Sequence, residues 1–275
     1  RYVSGKHLEA GAPDGLRLLI MPSCYCLTPE EAEGLDTWVR GGGTLVCEAH
    51  LGGYNAATNR HSRVLPGCGL AEKWGLREVE TLSSHHLGLG SAGGYSGEAN
   101  DDVRKALSAY GTSGGQFFPI RLVDGEILTG AEKYAVLEGS DWTPVGEALP
   151  GEDCIMHRRL GAGAVWYAGT LLGTGCEKTP SNLTAFLTRH VFNEAGVAPR
   201  LNLRQEHPGD VHVEVLLGES GAPAYLVVEN TTAVPRHVSM DLAGRWHGMF
   251  SGHDLVIAAD RAEIPGGLID IFCQI

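Results

Sequence analysis

The chain has 275 residues, long enough for one large domain or two modest ones, each with its own core. Its 21 basic and 33 acidic side chains give a formal net charge of −12. This balance argues against nucleic acid and anionic membranes as partners, because phosphate binding needs clustered Lys and Arg. No apolar run approaches the roughly 20 residues of a membrane-spanning helix.

The first predicted unit is a strand, a helix and a second strand. Residues 16–22 form a nearly continuous apolar run that ends at a proline, which is typical of a strand buried on both faces of a parallel sheet. Thr28 then predicts a helix N-cap, with Pro29 at the first helical position and acidic residues in the first turn. Three glycines at 41–43 end the helix, and residues 44–47 begin the next strand. The pattern indicates a right-handed β-α-β unit.

The middle of the chain alternates short elements with turns. Residues 50–70 are loop-like and a short helix follows at 70–75, while residues 83–97 are rich in Ser, Gly and His. The pattern predicts a helix at 100–109 and another at about 182–195, the latter ended by Gly196. Between them, strands are predicted at 117–122, 127–129, 134–137, 153–158 and 164–168, the last one launched by a turn at 161–164.

After Pro199 the pattern becomes entirely that of short strands. Turn residues recur between apolar runs at the spacing expected of an antiparallel sandwich. The strands are predicted at 212–217, 224–228, 237–242, 246–250, 255–258 and 268–274. The sequence therefore predicts two domains, an α/β domain over residues 1–199 and a β-sandwich over residues 200–275.

Cysteine usage indicates a reducing compartment. The seven cysteines are odd in number and lack a disulfide framework or a zinc-ligand spacing, so free thiols and a cytoplasmic location are expected. Two Asn-x-Thr sequons, at Asn182 and Asn230, carry little weight without a secretion signal. The first residue is Arg1 rather than Met, so we expect the gene product to start further upstream.

Several segments, taken in order, carry a family resemblance. They are Leu18 to Pro22 with Leu27 to Glu30, Leu35 to Val46, Gly161 to Thr170, Glu194 to Pro199, Tyr225 to Thr232, Ser251 with Gly252, and Pro265 to Phe272. Together they resemble the β-galactosidases of glycoside hydrolase family 42. The matching part of those enzymes is a trimerisation domain followed by a small C-terminal β-sandwich.

The resemblance implies a fold and a role. It implies a flavodoxin-like or class I glutamine amidotransferase-like parallel sheet flanked by helices, followed by a small antiparallel sandwich. It implies self-association, as a homotrimer or another homo-oligomer. The family's retaining hydrolysis of β-galactosides uses two glutamates of a (β/α)8 barrel, and nothing in these 275 residues resembles that barrel. The first strand and helix of an amidotransferase-like domain also look shortened.

Two candidate catalytic groups can be weighed from the residues alone. A retaining glycosidase needs two carboxylates about 5 Å apart, and related enzymes carry the acid in an Asn-Glu dipeptide. The dipeptide Asn193-Glu194 falls in the last turn of a predicted helix, where we expect it to face solvent. Cys47 follows a strand with His50 three residues on, as in a strand-to-helix nucleophile elbow. Leu45 is too large for such an elbow, so a buried structural thiol is favoured.

The remaining candidates are assigned structural roles. The acidic side chains Glu30, Glu31 and Glu33 are interpreted as helix N-terminal charge. The pair at 85–86, both histidines, lacks further ligands at helical spacing, and the glycines at 88–97 lack the lysine of a phosphate loop. Trp142 and Trp246 are expected in the core rather than on a sugar-binding surface.

We therefore predict no catalytic, cofactor-binding or metal-binding residue in this chain. The expected function is the oligomerisation and accessory portion of a β-galactosidase-like glycoside hydrolase. Two alternatives stay open: a stand-alone amidotransferase-like hydrolase that uses Cys47, and a carbohydrate-binding accessory protein that uses the sandwich.

Overall fold

The computed structural model describes residues 2–83, 118–131, 133–175, 180–198, 201–206, 210–218 and 222–275. The predicted helix at 100–109, the histidines at 85–86 and the glycines at 88–97 lie outside these residues. The chain divides into two compact units, Arg1–Val197 and Ala198–Ile275. No helix among the described residues is both long enough and apolar enough to cross a membrane.

The first unit is built on a seven-stranded sheet with the strand order β1-β3-β12-β11-β10-β7-β8. Two smaller sheets accompany it, one formed by β2, β4 and β5 and the other by β6 and β9. The strands are β1 Leu18–Met21, β2 Cys26–Leu27, β3 Thr44–Cys47, β4 Tyr54–Asn55, β5 Arg60–His61, β6 Leu76–Ser83, β7 Phe118–Leu122, β8 Ile127–Gly130, β9 Lys133–Gly139, β10 Thr143–Glu147, β11 Asp153–Leu160 and β12 Gly163–Ala168.

Few helices flank this sheet. They are α1 Gly5–Glu9, α2 Pro29–Arg40, α3 Leu70–Trp74, α4 Leu172–Gly175 and α5 Pro180–Phe186, with a π-helical segment at Leu187–Phe192 directly after α5. The single helix predicted at about 182–195 is thus an α-helix that widens into a π-helix. Such wide turns are rare in proteins and often occur near functional residues.

The β-α-β unit predicted from the sequence is confirmed. β1 and β3 pair in parallel, with Leu18 opposite Thr44 and Met21 opposite Cys47. The Thr28 hydroxyl accepts a hydrogen bond from the Glu31 amide while the Glu31 carboxylate accepts one from the Thr28 amide, which is a capping box. The start of α2 is therefore fixed by local sequence.

The predicted parallel sheet is observed only in part. β3 also pairs in parallel with β12, but the pairs from β12 through β11, β10 and β7 to β8 are all antiparallel. The cause is visible at Gly161 and Ala162, which connect β11 to β12 and leave Leu160 opposite Gly163. A two-residue loop can join only antiparallel strands, and Gly161 supplies the positive φ of 62° that this turn needs. The sheet is mixed, and the unit is richer in strands than the flavodoxin-like expectation.

Seven of the observed strands were not predicted from the sequence: β2, β4, β5, β6 and β10 of the first unit, and the strands Leu203–Gln205 and Arg261–Ile264 of the second. Two of them, β10 and β6, are irregular. β10 contains Pro144 and Gly146, which read as turn residues, and its register with β11 shifts at that point. β6 has a register shift between Glu78 and Glu80, which breaks the alternation of polar and apolar side chains.

Strands β3 and β12 of the seven-stranded sheet are buried on both faces. Leu45 and Cys47 of β3 lie in one apolar cluster and Val46 in the other, because successive side chains of a strand point to opposite faces. Val165 and Trp166 of β12 divide in the same way. This double burial explains the near-continuous apolar runs in both strands. The same burial predicted for the run at 16–22 is wrong, because β1 is the outer strand of the sheet and Ile20 is 44% exposed.

The second unit contains two antiparallel sheets around one core, as predicted. One sheet has the order β13-β16-β19 and the other the order β14-β15-β20-β17-β18. Side chains from both sheets, including Val238, Ile264, Leu226, Trp246 and Phe272, form a common apolar cluster. The strands are β13 Leu203–Gln205, β14 Val211–Leu217, β15 Pro223–Asn230, β16 Arg236–Met240, β17 Gly244–Gly248, β18 Asp254–Ile257, β19 Arg261–Ile264 and β20 Ile269–Gln274.

Candidate functional site

The three parallel strands of the first unit end at the same edge of the sheet. Met21, Cys47 and Tyr167 lie side by side in register across β1, β3 and β12. In α/β proteins the carboxyl edge of parallel strands is the usual position of a binding site. The residues at this edge therefore form the candidate site.

The centre of this edge is the Glu78 cluster, formed by Glu78, His50 and Tyr167. The Glu78 side chain is only 2% exposed. It accepts hydrogen bonds from the His50 amide at 2.6 Å, from His50 Nδ1 at 2.7 Å and from the Tyr167 hydroxyl at 2.5 Å. The hydrogen bond to Glu78 raises the pKa of His50, whereas burial and the nearby carboxylate raise that of Tyr167 well above its ordinary value.

A second buried carboxylate, Glu48, joins two loops at the same edge. It accepts the Ser23 amide at 2.9 Å and the Gly173 amide at 2.7 Å. Desolvation raises its pKa, and these amide bonds oppose that effect. Because Glu48 directly follows β3, it holds the loop after β1 against the start of α4. Its oxygens are occupied by backbone donors.

Cys47 has the environment of a structural thiol. It is fully buried, and its Sγ lies 3.8 Å from the Trp166 carbonyl oxygen. Burial, followed by nearby acidic groups, raises the pKa of the thiol well above its usual range. A nucleophilic cysteine needs a lowered pKa and a base, but His50 Nδ1 is bonded to Glu78. The prediction that Cys47 is buried is confirmed, and the geometry does not fit a nucleophile.

The expectation that Glu194 faces solvent is wrong. Its carboxylate accepts hydrogen bonds from Trp166 Nε1 at 2.7 Å and from His157 Nε2 at 3.0 Å. The π-helical segment Leu187–Phe192 precedes it and brings His190 to within 6.0 Å of the Trp166 ring, measured between centroids. Glu194 therefore fastens the last helix to the sheet through His157 and Trp166.

The other predicted residues have structural surroundings. Trp142 and Trp246 are buried, as expected, and the Trp142 indole donates to the Trp74 carbonyl at 2.8 Å. Glu31 caps α2, and Glu33 pairs with Lys73. Within the described part of the chain, no group of three or more His, Cys, Asp or Glu side chains has an arrangement that could hold a metal ion.

Sequence reasoning missed the two carboxylates of this edge. Glu48 had a usable signal, since it is a charged residue directly after a buried strand. Glu78 had none, because it lies on the irregular strand β6 and its partners are 28 and 89 residues away in sequence.

The chain was compared with protein families, with curated proteins and with solved structures. No protein-family model matches the chain, and no curated protein matches it. Among solved structures, a β-galactosidase from Bacillus circulans sp. alkalophilus matches 94% of this chain with a TM-score of 0.61 and 18% identity. Gan42B, a GH42 β-galactosidase from G. stearothermophilus, matches 94% at a TM-score of 0.60 and 16% identity. A β-galactosidase from the Antarctic haloarchaeon Halorubrum lacusprofundi matches 95% at a TM-score of 0.58 and 16% identity.

The fold is shared with part of these β-galactosidases. This confirms, at the level of fold, the resemblance that the sequence indicated. The match covers 33%, 32% and 32% of the three enzymes, so the chain spans about a third of their length.

Proposed function

We propose that this chain is the non-catalytic, assembly-forming portion of a β-galactosidase-like glycoside hydrolase. One observation carries the proposal: 94% of the chain matches the Bacillus circulans sp. alkalophilus β-galactosidase, but only 33% of that enzyme is matched. On this proposal, hydrolysis of terminal β-galactosides takes place in a barrel that these 275 residues do not include. Two glutamates of that barrel act as acid and nucleophile of a retaining mechanism.

The buried carboxylates support a structural role for the chain. A retaining glycosidase exposes two carboxylates to a sugar ring that lies between them. Glu48 is buried and the Glu78 side chain is only 2% exposed, and their oxygens accept hydrogen bonds from backbone amides and from Tyr167. Neither carboxylate is available to a substrate. Their arrangement favours a role in holding strand ends and loops in place.

The assembly role is the finer part of the proposal. The β-α-β unit of β1, α2 and β3, with β12 parallel beside it, is compatible with an amidotransferase-like trimerisation domain. We expect this unit to form a homotrimer, although its sheet is mixed rather than parallel. The cysteines that the structure describes are all free thiols, which supports a reducing, cytoplasmic location.

Two measurements test the proposal together. With p-nitrophenyl β-D-galactoside as substrate, we expect the isolated chain to show no turnover above buffer. In sedimentation velocity, we expect assemblies whose mass is a multiple of three times 29.2 kDa. Turnover by the chain would contradict the non-catalytic role, and a monomer at high concentration would contradict the assembly role.

The alternative hydrolase is tested at Cys47. Cys47→Ser removes the thiol from the buried site, and Cys26→Ser is the matched control because Cys26 is exposed. We expect neither variant to change the background hydrolysis of a p-nitrophenyl acetate probe. Loss of hydrolysis in Cys47→Ser alone would favour the amidotransferase-like alternative. The carbohydrate-binding alternative is not favoured, because Trp142 and Trp246 are buried and cannot stack on a sugar.

A further inference from the structure

Strand β14 of the second unit is the outer strand of its five-stranded sheet. Among the described residues it pairs only with β15. The Thr231 amide donates to the Asp210 carbonyl, so the pair just before the strand is a hydrogen-bonded one. Hydrogen-bonded and non-bonded pairs alternate along an antiparallel ladder. The backbone groups of Val211, Val213, Val215 and Leu217 therefore face away from β15.

The start of this outer edge is closed by a side chain. Gln205 Nε2 donates to the Val211 carbonyl at 3.0 Å, and the Val211 amide donates to Gln205 Oε1 at 2.9 Å. These bonds independently show that Val211 faces outward. Beyond it, the outward amides and carbonyls of Val213, Val215 and Leu217 have no hydrogen-bond partner in the described part of the chain.

The rest of the edge has little of the usual protection. Natural edge strands are blunted by charged side chains, especially Lys, by Pro or by a bulge. The segment Val211–Leu217 has no Lys and no Pro, its one acidic side chain is Glu214, and the extra residue at its register shift lies on β15 rather than on β14. Apolar side chains surround the open edge, since Leu216, Leu217 and Tyr225 are 39%, 38% and 43% exposed. Open backbone groups beside exposed apolar side chains are the features of a strand-pairing surface.

We propose that β14 pairs, edge to edge and antiparallel, with β14 of a second copy of this chain, with Val215 opposite Val215 across a two-fold axis. Val213 of each copy then lies opposite Leu217 of the other. The three pairs supply about six backbone hydrogen bonds. The result is a continuous sheet shared by two molecules.

The structure selects this register over the two that precede it, with axes at Val213 and at Glu214. A two-fold axis at Val213 would require the backbone groups of Val211, which Gln205 already occupies. An axis at Glu214 would place two carboxylates directly opposite each other, which is unfavourable. The axis at Val215 leaves Gln205 undisturbed and sets Glu214 opposite Leu216 of the other copy.

The self-complementarity of the edge favours a second copy as the partner. In the chosen register the core-facing side chains pair as valine with valine and as valine with leucine. Leu217, which is part-exposed in the single chain, becomes covered by Val213 of the second copy. An unrelated extended peptide would use the same backbone groups but would not need this side-chain pattern.

The test is a charge placed on the edge. Leu217→Lys puts an ammonium opposite Val213 of the second copy, and Ile269→Lys is the matched control. Ile269 is 71% exposed and lies on β20, two strands from the edge. In sedimentation velocity at equal concentration, we expect Leu217→Lys to halve the mass of the largest assembly and Ile269→Lys to leave it unchanged. An unchanged mass in Leu217→Lys overturns the proposal.

Hydrogen exchange gives a second readout that does not depend on a variant. In concentrated wild-type protein we expect slow exchange at the amides of Val213, Val215 and Leu217, and fast exchange at these same amides after dilution. The amides of His212, Glu214 and Leu216 bond to β15 and should be slow at both concentrations. Exchange at the three outward amides that is equally fast at both concentrations overturns the proposal.

The outcomes separate this proposal from the proposed function. A hexamer that Leu217→Lys converts to a trimer supports both. A dimer that becomes a monomer supports β14 pairing and contradicts the trimer. A trimer unaffected by the variant supports the trimer and overturns β14 pairing.

Discussion

Replacing Tyr167 with phenylalanine removes one hydroxyl from the Glu78 cluster and leaves the ring in place. The hydroxyl donates a hydrogen bond to Glu78 at 2.5 Å. Tyr167 is fully buried, so water cannot replace this bond without a rearrangement.

The cost follows from this bond. A hydrogen bond to a charged group contributes roughly 1.5–3 kcal/mol. Glu78 keeps its two donors from His50, which limits the loss. We expect Tyr167→Phe to lower the free energy of unfolding of the first unit by about 1.5–3 kcal/mol.

The assay is urea unfolding analysed by linear extrapolation. Tryptophan fluorescence is the signal, because four of the five tryptophans belong to the first unit. Tyr25→Phe is the control, because its hydroxyl meets His61 Nδ1 at 2.9 Å but the residue is 41% exposed. We expect that change to stay within about 0.5 kcal/mol. A loss below about 0.5 kcal/mol in Tyr167→Phe, with an unchanged dependence of the unfolding free energy on urea concentration, would mean that water reaches Glu78 and replaces the hydroxyl.

Three further predictions concern the hydrogen-bonded groups His50, Glu194 and Asn230. The hydrogen bond to Glu78 raises the pKa of His50 in the folded state, so its stabilisation is complete below about pH 6.5 and is lost as the pH rises through the folded pKa. Urea titrations between pH 5.5 and 8.5 should show this slope in the wild type and a flatter one in His50→Asn, which tolerates the positive φ of 63°. Glu194→Ala leaves the buried Trp166 indole N–H without an acceptor and should lower the stability by about 1–3 kcal/mol in the same unfolding assay. Asn230→Asp sets a carboxylate oxygen against the carbonyls of Val234, Ile264 and Pro265, each 3.0 Å from Asn230 Nδ2, and should destabilise the second unit by more than about 2 kcal/mol in thermal unfolding.

Each of these has an outcome that contradicts it. Equal pH slopes in wild type and His50→Asn would mean that His50 and Glu78 are not coupled. Full stability of Glu194→Ala would mean that solvent reaches the Trp166 indole. For Asn230→Asp the control is Gln274→Glu, the same amide-to-carboxylate change at an exposed position of the second unit. Equal melting temperatures of the two variants would contradict a structural role of Asn230.

The three carbonyls around the Asn230 amide also decide whether the Asn-x-Thr sequon at Asn230 is open to glycosylation. Its amide group is buried and bonded to three carbonyls, and its oxygen accepts the Thr232 amide at 2.9 Å. A glycan cannot be attached to this side chain in the folded unit. The sequence alone could show the motif, but only the surrounding loops show why its asparagine is occupied.

The sequence by itself determined those features whose signals lie within a few residues of each other. Thr28, Pro29 and the glycines at 41–43 fix the ends of α2, and the apolar runs on either side fix β1 and β3. Alternating side chains determined most strands of the second unit. The burial of Cys47 followed in the same way, because β3 is apolar on both faces.

Only the tertiary structure decided which strands became neighbours and which polar groups met. The order β1-β3-β12-β11 makes the sheet mixed, a choice made by pairing between segments more than 100 residues apart. The Glu78 cluster joins a loop, an irregular strand and a distant strand, and Glu194 turns inward to reach Trp166 rather than solvent. Local periodicity records which face of an element is buried. It does not record which distant donor will meet a buried carboxylate, since that depends on how the elements pack.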